Sequence, residues 1–339
     1  MENSKRGIIK KTTSNIQIHI KLSPAKPTVA YDTYWKFAGK RQDIFFKRFH
    51  QEIGPWTDDE ILKNYKFTNT YRASDRVSQY LIKNVIYSDH YKNPNDIFFR
   101  IMLFKFFNKI ETWELFEQHL GEISYESYSR KVYDQILTKA MNAKQRIFSA
   151  AYIMPSGCTV FGNKRKHLNL FCLLEKMMDE DVPKKLTEMK KMQQGFDLLR
   201  SYPMIGDFLA YQFITDINYS TLTAFSEKEF VIPGPGALNG IKKCFSDFGG
   251  LSFEEIIKFM TDIQLNEFER LGIDFKNLWG RDLRLIDCQN IFCEVDKYSR
   301  IAHPELTIKN GRTRIKQIFK PNLNKIEYEF PPKWGIKQE

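Results

Sequence analysis

Cysteine is scarce in this chain, and what there is has no useful arrangement. Five cysteines (Cys158, Cys172, Cys244, Cys288, Cys293) are scattered over 339 residues. An odd set without a short spacing framework gives no iron–sulfur loop or disulfide scaffold, and points to reduced thiols in a cytoplasm. The Cys288–Cys293 interval fits no zinc pattern and has no histidine within ligand spacing, so neither a metal nor a cofactor is expected. Long hydrophobic runs are missing too. Nothing approaches the roughly 18 residues of a membrane helix. The start, Met-Glu-Asn-Ser-Lys-Arg, lacks the apolar core of a signal peptide. A cytoplasmic protein with no membrane partner is the expectation. The glycine-rich run 232–243 lacks the Gly-Lys-Ser/Thr of a P-loop, and no alternation of strands and helices suggests a dinucleotide fold. No nucleophile elbow is present.

What the chain does have is aromatic mass and positive charge. With 28 Phe and 16 Tyr it can bury a large core. A net charge of +11 favours a polyanionic partner. The excess is local: Arg300, Lys309, Arg312, Arg314, Lys316, Lys320 and Lys325 face a single acid, Glu305. Residues 1–28 form a basic arm with a short alternating strand at Ile16–Leu22, in which His19 reads as part of a strand face. Residues 29–303 carry helical periods, and 304–339 form a basic extension. The fold class is therefore all-α, as a monomer. Helix starts are read at Thr57-Asp-Asp-Glu60 and Asn93-Pro-Asn-Asp96. Helices are predicted over 97–109, 125–150, 167–179, 184–200, 241–248, 253–271 and 282–300, and the 331–335 tail is predicted extended.

Five segments carry candidate chemistry. Residues 199–217 read as helix, tight turn at Tyr202–Gly206, and helix from Asp207. Such a hairpin presents backbone N–H groups to an anion, with Ile205, Gly206, Asp207 and Gln212 as candidate contacts; a plain Pro/Gly turn is the alternative. In 67–79, a helix would place Arg72, Asp75, Arg76 and Gln79 on one face, with Asn69 nearby. That face suits phosphate or base-edge contacts around a catalytic acid, or else is a solvated salt-bridged surface. The helix through 97–108 is apolar nearly all round, so Arg100 and Asn108 need partners, either substrate phosphate or a structural carboxylate. Gly234 and Gly236 lie in a turn feeding a helix N-terminus, a phosphate cradle or a simple turn. In 286–298, Asp287, Asn290, Glu294 and Lys297 fall at helical spacing, with Gln289 beside them. Asp75, Asp216 and Asp287 are the candidate catalytic carboxylates.

Two resemblances follow from these strings. Pro203, Ile205, Gly206 and Ala210 are similar to the helix-hairpin-helix pattern of DNA glycosylases, Leu-Pro-Gly-Val-Gly-x-x-Thr-Ala, though Met204 replaces its first glycine and no Lys follows Gly206. The longer strings at 67–79, 99–108, 233–237 and 287–298 resemble the helical domain associated with 5-hydroxymethyl-deoxyuridine DNA kinases, also called the alpha-glutamyl/putrescinyl thymine pyrophosphorylase family, over about residues 31–303. That resemblance implies an all-helical, glycosylase-like fold handling 5-hydroxymethyl-pyrimidine derivatives in DNA. It also implies a separate P-loop kinase partner if the chain is a transferase. The usual glycosylase Asp after the hairpin is missing; 225–233 offers only Glu227 and Glu229. Three readings stand: excision of a modified base, with defence against phage DNA as its role; replacement of an activated 5-hydroxymethyl phosphate by an amine or amino acid; and silent binding of modified DNA.

Overall fold

The computed structural model describes residues 24–88, 93–307, 311–321 and 327–338. The Ile16–Leu22 strand, His19, Lys309 and Lys325 lie outside them. Among the described residues there are fifteen α-helices and one two-stranded sheet, β1 (Lys26–Pro27) against β2 (Phe245–Asp247), antiparallel. The all-α expectation holds.

The first helix, α1 (Val29–Phe49), is capped by Thr28, whose side chain accepts the Ala30 N–H, and buries Tyr31, Tyr34, Trp35 and Phe45. Short α2 (Glu60–Asn64) starts on Asp59, which accepts from Ile61 and Leu62 N–H groups. Next come α3 (Arg76–Tyr80), continued by a π-turn to Ile86, and α4 (Pro94–Phe107). Asn93 caps α4 and Pro94 occupies its first turn, where a missing N–H costs nothing. Every residue of α4 from Asp96 to Phe107 is buried, as its uniformly apolar sequence requires. Helices α5 (Ile110–Leu120), α8 (Lys166–Asp179) and α9 (Val182–Glu188) pack against it, while α6 (Arg130–Asn142) packs on α5 and α8 and α7 (Cys158–Phe161) on α8.

The hairpin is α10 (Met192–Arg200) and α11 (Asp207–Ile217). After it come α12 (Pro235–Cys244), α13 (Phe253–Asp262), α14 (Gln264–Arg270) and α15 (Leu285–Ala302). The tightest helix pair is α12 on α15. Gly240 allows it: a Cβ there would run into the Phe292 carbonyl.

Several predicted helices are shorter than their periodicity suggests. The 125–150 helix is only Arg130–Asn142 and ends where Lys144 takes a positive φ. The 184–200 run breaks at Met189, which is extended. The 253–271 run breaks at Ile263, with φ −90° and ψ 0°. The helix at 241–248 starts earlier, at Pro235, and turns into strand at Phe245. The tail is not extended throughout but makes a 3-10 turn at Pro332–Trp334.

Candidate active site

The richest polar segment is not a helix along its length. Only Arg76–Tyr80 is α-helical, preceded by a 3-10 turn at Arg72–Ser74. Asp75 accepts the Asn69 N–H (2.8 Å) and the Asn69 side chain donates to the Ser74 carbonyl (2.8 Å). Local side-chain bonds of this kind compete with helix formation. The expected common face of Arg72, Asp75, Arg76 and Gln79 is therefore replaced by divergent directions. Arg76 is exposed. Gln79 donates to the carbonyls of Ala73 and Glu329 and accepts from the Glu329 N–H, tying the C-terminal segment to the core.

Arg72 turns inward instead. Its guanidinium forms a two-nitrogen pair with Asp216 (2.6 and 3.0 Å) and also reaches Gln212 Oε1 (3.1 Å) and the Tyr219 hydroxyl (3.0 Å). Lys105 lies 3.0 Å from the same carboxylate and 2.7 Å from Asn108. Both cations and Asp216 are nearly sealed from solvent. Burial by itself would raise Asp216, but Arg72 and Lys105 outweigh it and hold the carboxyl below its ordinary range. Burial lowers Lys105, against the pull of Asp216. Two cations sharing one anion leave the cluster with a net positive charge. The Tyr152 ring covers it, 5.9 Å from the Arg72 guanidinium carbon and 4.6 Å from Lys105 Nζ.

Tyr152 in turn lies parallel to Phe208 at 5.8 Å, in the first turn of α11. Phe208 touches the glycine-rich turn: a Cβ on Gly234 would come within 2.8 Å of its ring. Gly234 caps α12, and Gly236 packs against Cys293, where a Cβ would meet Sγ at 3.0 Å. Gln289 is buried beside them. Among the described residues its Nε2 reaches only Cys293 Sγ (3.6 Å), and its Oε1 has no hydrogen-bond partner. The hairpin start and the α12 start thus meet at one place, around two half-buried aromatic rings.

A short turn joins α10 and α11 at the position the sequence indicates. Met204, where the pattern has glycine, holds φ 68°. Ile205 is buried, Gly206 and Asp207 are exposed, and Arg200 pairs with Asp207 across the turn. Among the described residues, nothing lies within 4 Å of a Cβ built on Gly206.

The α15 residues fall on the face that the spacing predicts. Asp287 accepts the backbone N–H groups of Arg72 (2.9 Å) and Arg284 (3.0 Å). Asn290 donates to Thr68 Oγ1 and the Asn69 carbonyl. Glu294 accepts the Thr68 N–H (3.1 Å) and pairs with Lys297 (2.7 Å), which lies over the Phe67 ring. These four hold the 67–72 segment in place. Arg100 donates to the Val85, Ile123 and Asn84 carbonyls and to Ser88, against the Trp113 ring.

The three carboxylates differ in freedom. Asp216 and Asp287 are buried with both oxygens engaged. Burial pushes Asp287 up to about 6. Asp75 is partly exposed, and its second oxygen has no hydrogen-bond partner among the described residues. Burial, aided by the Glu294 charge, pushes its carboxyl up to about 7 against the opposing Asn69 N–H, Arg41 and Arg72. Glu227, after the hairpin, is paired with Arg281 (2.6 Å). Lys105 and Phe208 lie in the 97–108 and 199–217 segments that the sequence singles out, though neither side chain stands out within them, and Tyr152 and Tyr219 carried no signal in the sequence.

The family model described as 5-hmdU DNA kinase, helical domain, matches residues 28–308. A 5-hmdU DNA kinase of Bacillus phage SP10 is 24% identical over 303 residues, covering 84% of this chain and 47% of the relative. The chain thus spans about half the length of the curated relative it matches. No solved structure matches. With the model covering most of its length and all the segments just described, this chain belongs to the 5-hmdU DNA kinase helical-domain family.

Proposed function

We propose that this helical domain binds DNA carrying a 5-hydroxymethyl-pyrimidine derivative, turns that nucleotide out of the stack, and cleaves its glycosidic bond, with Asp75 as the acid–base group. The observation that carries the reading is Asp75 itself: one oxygen fixed by the Asn69 N–H, the other without a hydrogen-bond partner among the described residues, and a carboxyl raised to about 7. An acid–base group works best when its pKa lies near the operating pH. Ionised Asp75 takes a proton from water as the water oxygen bonds to C1′. The C1′–N1 bond breaks and its electron pair leaves with the base, while the carboxylate stabilises the positive sugar. A base inside a duplex is out of reach of such chemistry, and Tyr152 and Phe208 offer the stacking surface for an extruded ring. Asp216 and Asp287 position: one fixes the Arg72 side chain, the other its backbone. The similarity to the 5-hmdU DNA kinase of Bacillus phage SP10 supports the choice of base. Removal of such bases suits defence against phage with hypermodified DNA.

A second reading is displacement at the 5-methylene, by an amine or amino acid, of a phosphate installed by a separate P-loop kinase. The net positive Arg72–Lys105–Asp216 cluster favours it, because it suits a departing phosphate. Incubation with hypermodified phage DNA separates the two. Excision leaves abasic sites that break in mild alkali without any donor. Displacement leaves alkali-stable DNA that changes mass only when a donor is added. Equal action on unmodified DNA would overturn both, since a pocket hydrogen-bonding the 5-substituent loses partners without it.

A further inference from the structure

A cavity of about 470 Å³ opens between α1, α2 and the C-terminal segment, lined by Trp56, Tyr65, Phe67 and Phe319 and floored by Arg41. Its size and aromatic walls suit a small planar ligand. Arg41 gives the floor a directed polar group. Its Nε donates to the Thr68 carbonyl (2.9 Å) and its Nη2 to Asn69 Oδ1 (2.6 Å), while Nη1 has no hydrogen-bond partner among the described residues. At the rim, residues 64–66 run beside 317–319, joined by Lys66 N–H to the Gln317 carbonyl and Phe319 N–H to the Asn64 carbonyl. That pairing gathers exposed Lys66, Lys316 and Lys320 beside exposed apolar Ile53 (97%) and Ile318 (59%).

We propose that this cavity is a second nucleobase pocket, filled by an unpaired base of a bound DNA strand whose phosphates lie on the lysines around its rim. Every base has a π-face for aromatic walls and acceptor atoms on an edge for a guanidinium donor. The lysines select the strand-borne base over a free one, because a neutral nucleoside gains nothing from them. The proposal rests on the DNA-binding part of the function proposed above and is independent of the bond that is broken. Arg41 is a poor residue to test, since it also holds Asn69, which fixes Asp75. Trp56 and Ile53 are not tied to that segment.

The test uses the full chain and an unmodified single-stranded oligonucleotide carrying one 2-aminopurine. Anisotropy reads binding and 2-aminopurine emission reads stacking. Emission should be quenched severalfold on binding. Trp56→Ala should weaken affinity roughly tenfold and restore emission, as loss of one base–aromatic stack implies, and Trp56→Phe should recover both. Ile53→Asp, at a side chain too exposed to affect folding, should weaken binding with the melting temperature unchanged. Unaltered affinity and quenching in both Trp56→Ala and Ile53→Asp overturns the pocket while leaving the DNA-binding reading intact. Saturable binding of free 2-aminopurine deoxyriboside that the oligonucleotide fails to displace also overturns it. Absence of any anisotropy change with this oligonucleotide overturns the pocket, and absence of binding to DNA carrying the 5-hydroxymethyl-pyrimidine as well removes the DNA-binding reading.

Discussion

Asp75 and Asp216 are both carboxylates near Arg72, and their surroundings give them opposite pH behaviour. The folded pKa of Asp75 is raised, so the folded state binds its proton more tightly than the unfolded chain. Its ionisation therefore costs stability as pH rises from about 4 to about 7. Asp75→Asn removes that cost, and should not lower the melting temperature at pH 8 while slowing excision on the order of a hundredfold or more. The rate should also lose its dependence on a group titrating near 7. A variant that melts early at pH 8, with no separate loss of rate, would return Asp75 to a structural role. Asp216 is depressed, so its contribution is present above the ordinary carboxylate range and lost as pH falls through its folded pKa. Asp216→Asn strands Arg72 and Lys105 in the interior, and about 3–5 kcal/mol of stability should go with it. Chemical denaturation at neutral pH measures that loss directly.

Two glycines separate contact with DNA from contact within the protein. Gly206 caps α11 at an exposed turn, with φ −89° and, among the described residues, no neighbour within 4 Å of a built Cβ. Gly206→Val should fold normally yet weaken DNA binding several-fold, because the branched side chain blocks approach of a phosphate to the backbone N–H groups. Gly240 lies where α12 meets α15, against the Phe292 carbonyl. Gly240→Ala should lower stability by about 1–3 kcal/mol or more through overpacking. An unchanged melting temperature for Gly240→Ala, or unchanged DNA affinity for Gly206→Val, would contradict these assignments.

Charge and chain ends act across the molecule. Arg300, counted among the basic C-terminal residues, pairs with Asp296 (2.6 Å) and donates to the Arg314 carbonyl, so it is a tether. Arg312, Arg314, Lys316 and Lys320 remain exposed. If these four neutralise phosphates, the logarithm of the binding constant should fall with the logarithm of salt at a slope of roughly −3 to −4. Their joint replacement by Ala should bring the slope close to zero. The last segment anchors to the core. Lys333 donates to the Ser220 and Thr223 carbonyls beyond α11, and Trp334 lies 3.6 Å from the Arg281 guanidinium.

Regular spacing was readable directly from the order of residues. The 3–4 repeat of Asp287, Asn290, Glu294 and Lys297 put them on one face of α15, and all four support 67–72. Uniform apolarity placed α4 in the interior, and the Pro203–Gly206 turn split the hairpin helices. Helix lengths were less legible, because positions such as Met189 and Ile263 leave the helix without a proline or glycine to announce it. The pairing of Arg72 with Asp216, 144 residues away, has no local signature. Nor has the approach of Lys105 and Tyr152 to that pair. Periodicity follows from backbone geometry that neighbouring residues share. Which buried cation meets which carboxylate depends on how distant helices pack, and on the cost of leaving either charge alone in the interior.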